Sequence, residues 1–364
     1  NLIELPGLNL FETFSFKDRL KKFLNKKNKK LNEYYEFFSV LFGGFPEPKT
    51  FGKRANDYLK TNDHYDLIID NQSLSYGMVE IQKRFPFIEM IHHPITMDFK
   101  HEMKVSKKIK YKVSRYRWYS FLKMQKKVAP SIKRIITPSE SSKNGIIEDF
   151  NCKNTNITVI NNGLDTDEFS PIEDIRRNKF RLITTASADV PLKGLDYTLK
   201  ALNILKNNFP EIQLIIIGSL KKGGHTQKLI KKLNLEQYII FKTNISKKEI
   251  KELYAESSIA IVSSLYEGFG YPVIEAMSCE VPLIATNVAS IPELTSKYAL
   301  LIDPKNSEMI SAGVKDILSN YEKYKKIAIQ GRQHVVKNFN WIKITKKYEN
   351  IIFKTIREFK NVDV

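Results

Sequence analysis

Residues 263–277 read Ser-Ser-Leu-Tyr-Glu-Gly-Phe-Gly-Tyr-Pro-Val-Ile-Glu-Ala-Met and follow Ser258–Val262, an apolar run typical of a buried strand. The two glycines let the backbone approach a ligand closely, and the proline suits the first position of a helix, where its missing N–H would be unpaired anyway. Free amides at such a helix start favour an anion or a sugar hydroxyl. The stretch predicts a ligand site with Glu267 in the loop and Glu275 in the first helical turn. A plain strand–helix turn is the alternative.

The apolar pattern on both sides of this stretch indicates βα units, because short runs of Ile, Leu and Val alternate with longer helical segments. The first series of predicted strands is Leu67–Asp70, Ile88–Ile91, Arg134–Thr137 and Ile157–Ile160. The second series is Arg181–Thr185, Gln213–Gly218, Ile239–Lys242, Ser258–Val262, Pro282–Thr286 and Ala299–Ile302. A polar stretch, 161–178, separates the two series and has the character of an interdomain linker. We therefore expect an α/β protein with mostly parallel sheets and two domains, residues 1–172 and 173–344, with a C-terminal helix, 345–364, packing back on the first.

The first 62 residues have helical patterns and little strand character. A doubly wound domain usually opens with a strand, a tight glycine turn and a helix, and nothing in 1–62 resembles that unit. The chain also begins with Asn1 rather than Met. We therefore expect the first βα unit to be missing; the alternative is a divergent replacement within 1–62.

The composition excludes several classes of protein. The chain has 364 residues, of which 42% are hydrophobic and 27% charged, and no run approaches the ~18 apolar residues of a membrane span. Its two cysteines, Cys152 and Cys279, form no CxxC pair, which argues against a disulfide framework or a zinc site and suits a reducing cytosol. No G-x-G-x-x-G is present, so a dinucleotide oxidoreductase is unsupported.

The positive charge is concentrated in one part of the chain. The net charge is +19, and the basic segment, Lys100–Arg134, holds thirteen Lys or Arg and one acid, Glu102, which leaves 13 − 1 = +12. Five aromatic residues lie among these cations, namely Tyr111, Tyr116, Trp118, Tyr119 and Phe121. The pattern favours contact with an anionic membrane surface. A solvated, Lys-rich helix face is the alternative, and the absence of a recognised module argues against nucleic acid.

Residues 263–277 resemble the "EGFG-P-EAM" signature of glycosyltransferase family 4, with Glu267 and Glu275 as the E-x7-E element of retaining enzymes. Three further segments are similar to motifs of that family in order and spacing: ITPSESSKNGI (136–146), VINNGLDTDEFSP (159–171) and IPELTSKYALLIDP (291–304). The resemblance extends from about Asp66 to Trp341. It implies the GT-B fold, in which two Rossmann-like domains face across a cleft and the second holds the nucleotide sugar.

The resemblance also implies roles for individual residues of the second domain. Glu267 and Lys193 would be catalytic, with Lys193 holding the donor diphosphate. The expected donor-binding residues are Gly194, Gly268, Phe269, Gly270 and Glu275, of which Glu275 would bond the ribose hydroxyls. One departure is clear, because the family usually has an arginine where this chain has Ala188, followed by Asp189.

In the first domain the resemblance implies a catalytic histidine at His92, within IEMIHHPITMD (88–98). Adjacent side chains of a strand point to opposite faces, so only one of His92 and His93 can face the cleft. A packed structural histidine is the alternative. Polar residues that follow the preceding strand, Asn71, Gln72 and Ser73, are expected on the acceptor side, because ligands bind beyond the carboxyl ends of such strands. A simple turn explains them nearly as well.

The function expected from these residues is retaining transfer of a hexose from a nucleoside diphosphate sugar to a hydroxyl acceptor, such as a lipid-linked or cell-envelope glycan. We expect a cytoplasmic enzyme, peripheral on the inner membrane face, with no cofactor and no metal, since Lys193 and helix ends would supply the positive charge. Asp165 and Asp167 have DxD spacing, but their linker position disfavours metal binding. The alternative function is a non-catalytic, transferase-like binding protein that uses its basic surface.

Overall fold

The computed structural model describes residues 2–13, 15–105 and 107–362. Ser106, within the basic segment, and the last two residues of the expected C-terminal helix lie outside these ranges. The chain forms two compact units, Asn1–Ile160 with Tyr348–Val364, and Asn161–Lys347.

The first unit is built on a parallel sheet of four strands in the order β1-β2-β3-β4. The strands are β1 (Ile68–Asn71), β2 (Phe87–Met90), β3 (Ile135–Thr137) and β4 (Ile157–Val159). Its helices are α1 (Phe16–Asn25), α2 (Leu31–Leu41), α3 (Glu47–Tyr58), α4 (Tyr76–Ile81), α5 (Thr96–Val105), α6 (Ile109–Trp118), α7 (Leu122–Val128) and α8 (Glu140–Phe150). Among the described residues of 2–62 none belongs to a strand, and this region contributes α1, α2, α3 and a short 3-10 turn.

The second unit contains a parallel sheet of six strands in the order β10-β9-β8-β5-β6-β7. The strands are β5 (Asn178–Thr185), β6 (Gln213–Ile217), β7 (Ile239–Lys242), β8 (Ser257–Val262), β9 (Leu283–Thr286) and β10 (Leu300–Ile302). The helices are α9 (Leu195–Leu205), α10 (His225–Lys232), α11 (Lys247–Glu256), α12 (Tyr271–Ser278), α13 (Ile291–Thr295), α14 (Ser307–Ser319) and α15 (Tyr321–Phe339). The last helix, α16 (Trp341–Val362), begins in this unit, and its residues from Tyr348 onward belong to the first unit.

All ten predicted strands are confirmed, with ends that differ by no more than a few residues. The reason is visible in the burial of the second sheet, where every residue of β8 and β9 is buried. A parallel strand covered on both faces needs a continuous apolar run, which is the pattern that the sequence shows. The predicted α/β class with two mostly parallel sheets is confirmed as well.

The order of the second sheet contains one reversal. The chain runs outward from β5 to β6 and β7, then returns to the other side of β5 and continues through β8, β9 and β10. The loops that follow β5 and β8 therefore leave the sheet in opposite directions. In open α/β sheets this switch point is where ligands bind.

Candidate active site

Two loops meet at the switch point of the second sheet: residues 186–194, after β5, and residues 263–270, after β8. We call them the switch-point loops. They bring Lys193 and Glu267 together, because the Nζ atom of Lys193 donates a 2.7 Å hydrogen bond to Oε1 of Glu267. The same oxygen accepts a 2.7 Å hydrogen bond from the hydroxyl of Ser264. Glu267 is buried, whereas the side chain of Lys193 is one-third exposed, so the cation remains accessible to a ligand.

Further hydrogen bonds join the two loops to each other. The amide of Leu265 donates to the carbonyl of Leu192 at 2.7 Å. The hydroxyl of Ser263 donates to the carbonyl of Gly194 at 3.0 Å, and the hydroxyl of Thr198 on α9 donates to Ser263 Oγ at 2.8 Å. Both serine and threonine are buried here, so their hydroxyl groups need these partners. The loops therefore form one connected backbone surface.

Gly194 occupies a position that no other residue type fits. Its φ of +64° is left-handed, and a Cβ atom placed on it would lie 1.9 Å from the carbonyl oxygen of Ser263. It is also the residue before the first turn of α9. The glycine that sequence reasoning placed next to Lys193 is thus required by the close approach of the two loops.

The side chain of Ser290 anchors the backbone of the glycine-rich part of the second loop. The hydroxyl of Ser290 is buried and lies 2.9 Å from the carbonyl oxygen of Glu267 and 2.6 Å from that of Phe269. The ring of Phe269 is buried against Phe339, with centroids 6.1 Å apart. Gly268 lies between these anchored residues, and Gly270, with φ +104°, precedes α12.

Helix α12 begins one residue earlier than predicted. It starts at Tyr271, so Pro272 is its second residue, and Glu275 is its fifth residue and lies just beyond the first turn. The prediction that Glu275 belongs to the first turn is therefore wrong by about one position, because Gly270 rather than Tyr271 supplies the non-helical conformation before the helix.

Glu275 has a partner that the sequence did not indicate. The hydroxyl of Tyr254 donates a 3.3 Å hydrogen bond to Oε2 of Glu275, and Thr185 Oγ1 at the end of β5 lies 3.4 Å from the same hydroxyl. Burial raises the pKa of Glu275 to about 7, against the opposing effects of the Tyr254 hydrogen bond and the positive charge of Lys247. A carboxyl that is half-ionised near neutrality can accept hydrogen bonds from ligand hydroxyls once ionised.

In the first unit, His92 follows β2 and forms a cluster with the residues that follow β1. His92 Nε2 lies 2.7 Å from Oδ1 of Asn71, and the backbone amide of His92 donates to Oε1 of Gln72 at 2.7 Å. The Gln72 amide group also donates to the carbonyl of His93 at 2.9 Å. Burial, together with the charge of His93, lowers the pKa of His92, which favours the neutral imidazole at neutral pH. We call Asn71, Gln72, Ser73 and His92 the His92 cluster.

The remaining predicted residues of this region are oriented differently from one another. The hydroxyl and the amide of Ser73 both donate to Oδ2 of Asp70, each at 2.8 Å. His93 Nε2 lies 2.8 Å from Oδ2 of Asp98 on α5. The two adjacent histidines thus have separate carboxamide and carboxylate partners.

The departure at Ala188 is explained by the residue that follows it. Asp189 has a φ of +60°, its amide donates to Thr226 Oγ1 at 3.0 Å, and its Oδ1 accepts from the amide of Thr226 at 2.8 Å. Thr226 is the second residue of α10. Directly after the position where the family usually has an arginine, this chain therefore has an aspartate that binds the start of a helix.

The DxD spacing at Asp165 has a local structural use. Oδ1 of Asp165 accepts hydrogen bonds from the amides of Asp167 and Glu168, at 3.1 and 2.9 Å. This is the turn that an aspartate commonly makes with its own backbone. Within the described ranges no group of three or more His, Cys, Asp or Glu side chains has an arrangement that could hold a metal ion.

The aromatic residues of the basic segment pack largely within the first unit. Trp118 stacks on Phe45 with centroids 4.9 Å apart, Phe121 meets the same ring edge-on, and the hydroxyl of Tyr119 donates to Glu102 at 3.1 Å. Only Tyr116 of the five is exposed, and it continues an apolar stripe on α6. Ile109, Val113 and Tyr116 are 79%, 43% and 53% exposed at positions i, i+4 and i+7. Over residues 2–13, 15–105 and 107–362 no helix is long and apolar enough to cross a bilayer.

Comparison with known proteins gives matches over nearly the whole chain. Residues 166–334 match the model of the family "Glycosyl transferases group 1", and residues 18–168 match that of "Glycosyltransferase Family 4". The MMP alpha-(1->4)-mannosyltransferase of Mycolicibacterium hassiacum is 33% identical over 326 residues, which is 88% of this chain and 78% of that protein.

Solved structures match at lower identity and show the fold. A sucrose-phosphate synthase from Thermosynechococcus elongatus superposes with a TM-score of 0.72 at 19% identity and covers 85% of this chain and 78% of its own. Anabaena HepE in complex with UDP and glucose has a TM-score of 0.68 at 18% identity, with 82% and 81% covered.

Proposed function

Because the chain belongs to the group 1 glycosyltransferases and has their GT-B fold, we propose that it is a retaining enzyme, which moves a hexose from a nucleoside diphosphate sugar to a hydroxyl group. The chain is thus a glycosyltransferase. We propose its donor, the stereochemistry of the transfer and its acceptor. The observation that supports this most is the pair of Lys193 and Glu267 at the switch point.

Lys193 has the properties that stabilisation of a leaving diphosphate requires. During transfer the bond between the sugar C1 and the phosphate oxygen breaks, so negative charge grows on the diphosphate. A fixed cation lowers the energy of that state more than the energy of the bound donor. Glu267 and the loop around Ser263 hold Lys193 in place before the donor arrives. We assign Glu267 to the transferred sugar.

Glu275 is assigned to the ribose hydroxyls of the donor. Its carboxylate lies on α12, next to the glycine-rich backbone of residues 268–270, which would contact the sugar. Gly194 provides backbone amide surface at the start of α9. The positive end of a helix beside Lys193 adds to the charge that faces the diphosphate.

His92 is assigned as the catalytic histidine of the first unit, and Asn71, Gln72 and Ser73 are assigned to the acceptor side. The neutral imidazole that its lowered pKa favours can exchange a hydrogen bond with a hydroxyl. Retention requires the new bond to form on the face from which the diphosphate leaves, so the acceptor must be held precisely. No metal or other cofactor is assigned, since Lys193 and the helix ends supply positive charge.

The donor is proposed to carry mannose or glucose. The relative with 33% identity is a mannosyltransferase by name, and two of the structures with this fold are a sucrose-phosphate synthase and a protein bound to UDP and glucose. UDP-glucose and GDP-mannose are accordingly the first donors to test.

A cytoplasmic position at an anionic membrane surface is proposed from the basic segment. The exposed stripe of Ile109, Val113 and Tyr116 on α6 can enter the headgroup layer, while the lysines around it face lipid phosphates. Each engaged cation contributes about 1 kcal/mol near an anionic surface. The acceptor proposed for such an enzyme is a lipid-linked or cell-envelope glycan.

Thermal unfolding of the full chain with UDP, GDP, ADP, UDP-glucose and GDP-mannose tests the donor site. A ligand that binds the native state raises the midpoint by mass action. We expect one nucleotide to raise the midpoint of the wild type. The shift should be smaller in Glu275→Ala and equal to that of the wild type in the matched surface variant Glu211→Ala. If none of the five changes the midpoint, the donor site is wrongly assigned. Binding without any sugar transfer or donor hydrolysis supports the non-catalytic alternative.

Vesicle flotation tests the membrane surface separately. Salt-sensitive flotation is expected with phosphatidylglycerol-containing vesicles and not with pure phosphatidylcholine. Val113→Ser with Ile109→Ser should weaken it, whereas Ile240→Ser, an exposed apolar residue of β7 in the other unit, should not. Absence of flotation at low ionic strength leaves an enzyme with a water-borne acceptor.

A further inference from the structure

Two carboxyl groups lie side by side beneath the His92 cluster. Asp70 on β1 and Glu89 on β2 are directly opposite in the register of these parallel strands. Side chains that are opposite on neighbouring strands share a face of the sheet, and the strands are only ~4.8 Å apart. Glu89 is 0% exposed and Asp70 is 6% exposed, so both are removed from water.

Asp70 has the surroundings of an ionised carboxylate. Its Oδ2 accepts hydrogen bonds from the amide and the hydroxyl of Ser73, both at 2.8 Å, and from the amide of Leu74 at 3.2 Å. Three donors on one oxygen stabilise its negative charge. Asp70 therefore has an oxygen that is fully engaged as an acceptor by the turn after β1.

Glu89 has the surroundings of a protonated carboxyl. Neither of its oxygens receives a well-formed hydrogen bond from a donor in the described part of the chain. Burial and the charge of Asp70 raise its pKa well above the usual range, and the amides of Leu74 and Gln72 oppose this only in part. The other neighbour of Glu89 in register, Ile135 on β3, is apolar. An ionised Glu89 would be an unpaired buried charge, which is strongly unfavourable.

The turn after β1 depends on Asp70 and carries the His92 cluster. Gln72 and Leu74 both have left-handed backbones, with φ of +67° and +46°, which is unfavourable for residues other than glycine. The hydrogen bonds to Asp70 hold this turn, and the turn places the side chain of Gln72 against the backbone N–H of His92 and the backbone carbonyl of His93.

We propose that Glu89 is a positioning residue, whose carboxyl proton is shared with Asp70 and fixes the turn that follows β1. It acts on His92 through Asn71 and Gln72 and does not touch the reacting groups itself. Its relevance to transfer rests on the proposed catalytic role of His92. Removal of the proton would place two negative charges on neighbouring strands and would weaken the hold of Asp70 on the turn.

Three variants of the full chain test this proposal. Glu89→Gln keeps the shape and retains an N–H donor for Asp70 at every pH, and Glu89→Leu removes the donor at similar volume. Glu80→Gln, at an exposed position of α4, is the control. Amide exchange of Ser73 and Leu74 and the 15N signals of His92, assigned with His92→Gln, are measured without substrate. We expect exchange at least about tenfold faster in Glu89→Leu, with the His92 pKa moved upward, and wild-type behaviour in Glu89→Gln and Glu80→Gln.

An infrared difference spectrum reads the proton directly. At pH 8 the wild type should show a protonated carboxyl C=O band that Glu89→Gln lacks and Glu80→Gln retains. Absence of the band overturns the proposal, and so does a Glu89→Gln variant as perturbed as Glu89→Leu, or a folded Glu89→Leu with unchanged exchange and an unchanged His92. If Glu89→Leu does not fold, the band and the Glu89→Gln data still decide. None of these measurements involves a nucleotide, so a failure here is separate from failure of the donor site.

Discussion

The hydroxyl of Tyr254 donates a hydrogen bond to Oε2 of Glu275 over 3.3 Å, and the Tyr254 side chain is buried. This contact joins the end of α11 to the helix that follows the glycine-rich loop. It stabilises the ionised form of a carboxyl that burial would otherwise keep neutral. Tyr254 therefore sets how well Glu275 can receive hydroxyl donors.

Tyr254→Phe should reduce nucleotide affinity while leaving the fold intact. Loss of the hydrogen bond raises the pKa of Glu275 further, so less of it is ionised at neutral pH. We expect affinity to fall several-fold at pH 7 and to recover at higher pH, with about 1 kcal/mol lost from the free energy of unfolding. Calorimetry with the nucleotide found in the thermal screen measures both pH values. An affinity deficit that is the same at all pH values would argue against this role.

Ligand-free stability and ligand affinity should change with pH in opposite directions. The pKa of Glu275 is raised from 4.5 to about 7, so the folded state binds its proton more tightly than the unfolded state does. The resulting stabilisation is complete below pH ~4.5 and is lost as the pH rises towards 7. Nucleotide affinity should rise over the same window, because the carboxylate is the acceptor.

Glu275→Gln provides the control for this pH dependence. The amide does not titrate, so both trends should be flatter in the variant, and any contribution from the nucleotide phosphates remains in both proteins. Unfolding midpoints at several pH values, with and without nucleotide, give the comparison. Parallel pH curves for the wild type and the variant would remove Glu275 as the titrating group.

Lys193→Ala should reduce turnover far more than donor binding. The charge on the diphosphate grows as the glycosidic bond breaks, so the cation is needed most at that point. A loss of about 10²–10³ in rate is typical when one such group is removed. Donor hydrolysis or sugar transfer measures the rate, and the thermal shift measures binding. Lys232→Ala, on the exposed last turn of α10, is the control. Equal losses of binding and rate would contradict the assignment.

Gly194→Ala and Gly223→Ala form a matched pair for the packing of the switch-point loops. Both glycines have positive φ, +64° and +72°, but only a Cβ at 194 would collide, 1.9 Å from a carbonyl oxygen, whereas nothing lies within 4 Å at 223. We expect about 1 kcal/mol of destabilisation at 223 and about 3 kcal/mol or more at 194. Chemical unfolding gives both values. Similar losses at the two sites would mean that the loops can separate at little cost.

The sequence predicts the sheets well because the signal for each strand lies within the strand and its immediate neighbours. Buried parallel strands such as β8 need an unbroken apolar run, and the residues before and after them supply the turns. The loop of Glu267 is predicted for the same reason, because its glycines and proline determine the backbone conformation of adjacent residues.

Contacts between distant segments account for what sequence reasoning missed. Tyr254 precedes β8 and no motif marks its hydroxyl, yet it meets Glu275 twenty-one positions later in the chain. Trp118 is surrounded in the sequence by basic residues, which is typical of a surface position. In the structure Phe45, in the connection between α2 and α3, stacks on its ring. In each case the partner is known only once the elements have packed.

The bond between the Leu265 amide and the Leu192 carbonyl has a thermodynamic consequence. Because the two loops are already joined during folding, the entropy of ordering them is not subtracted again when a ligand arrives. Calorimetric measurement of ligand binding should therefore show little loss of conformational entropy from these loops. The binding site is already formed before the ligand arrives. Because the backbone of these loops has little freedom to adapt, we expect differences in ligand specificity between related proteins to arise from the side chains that line the site.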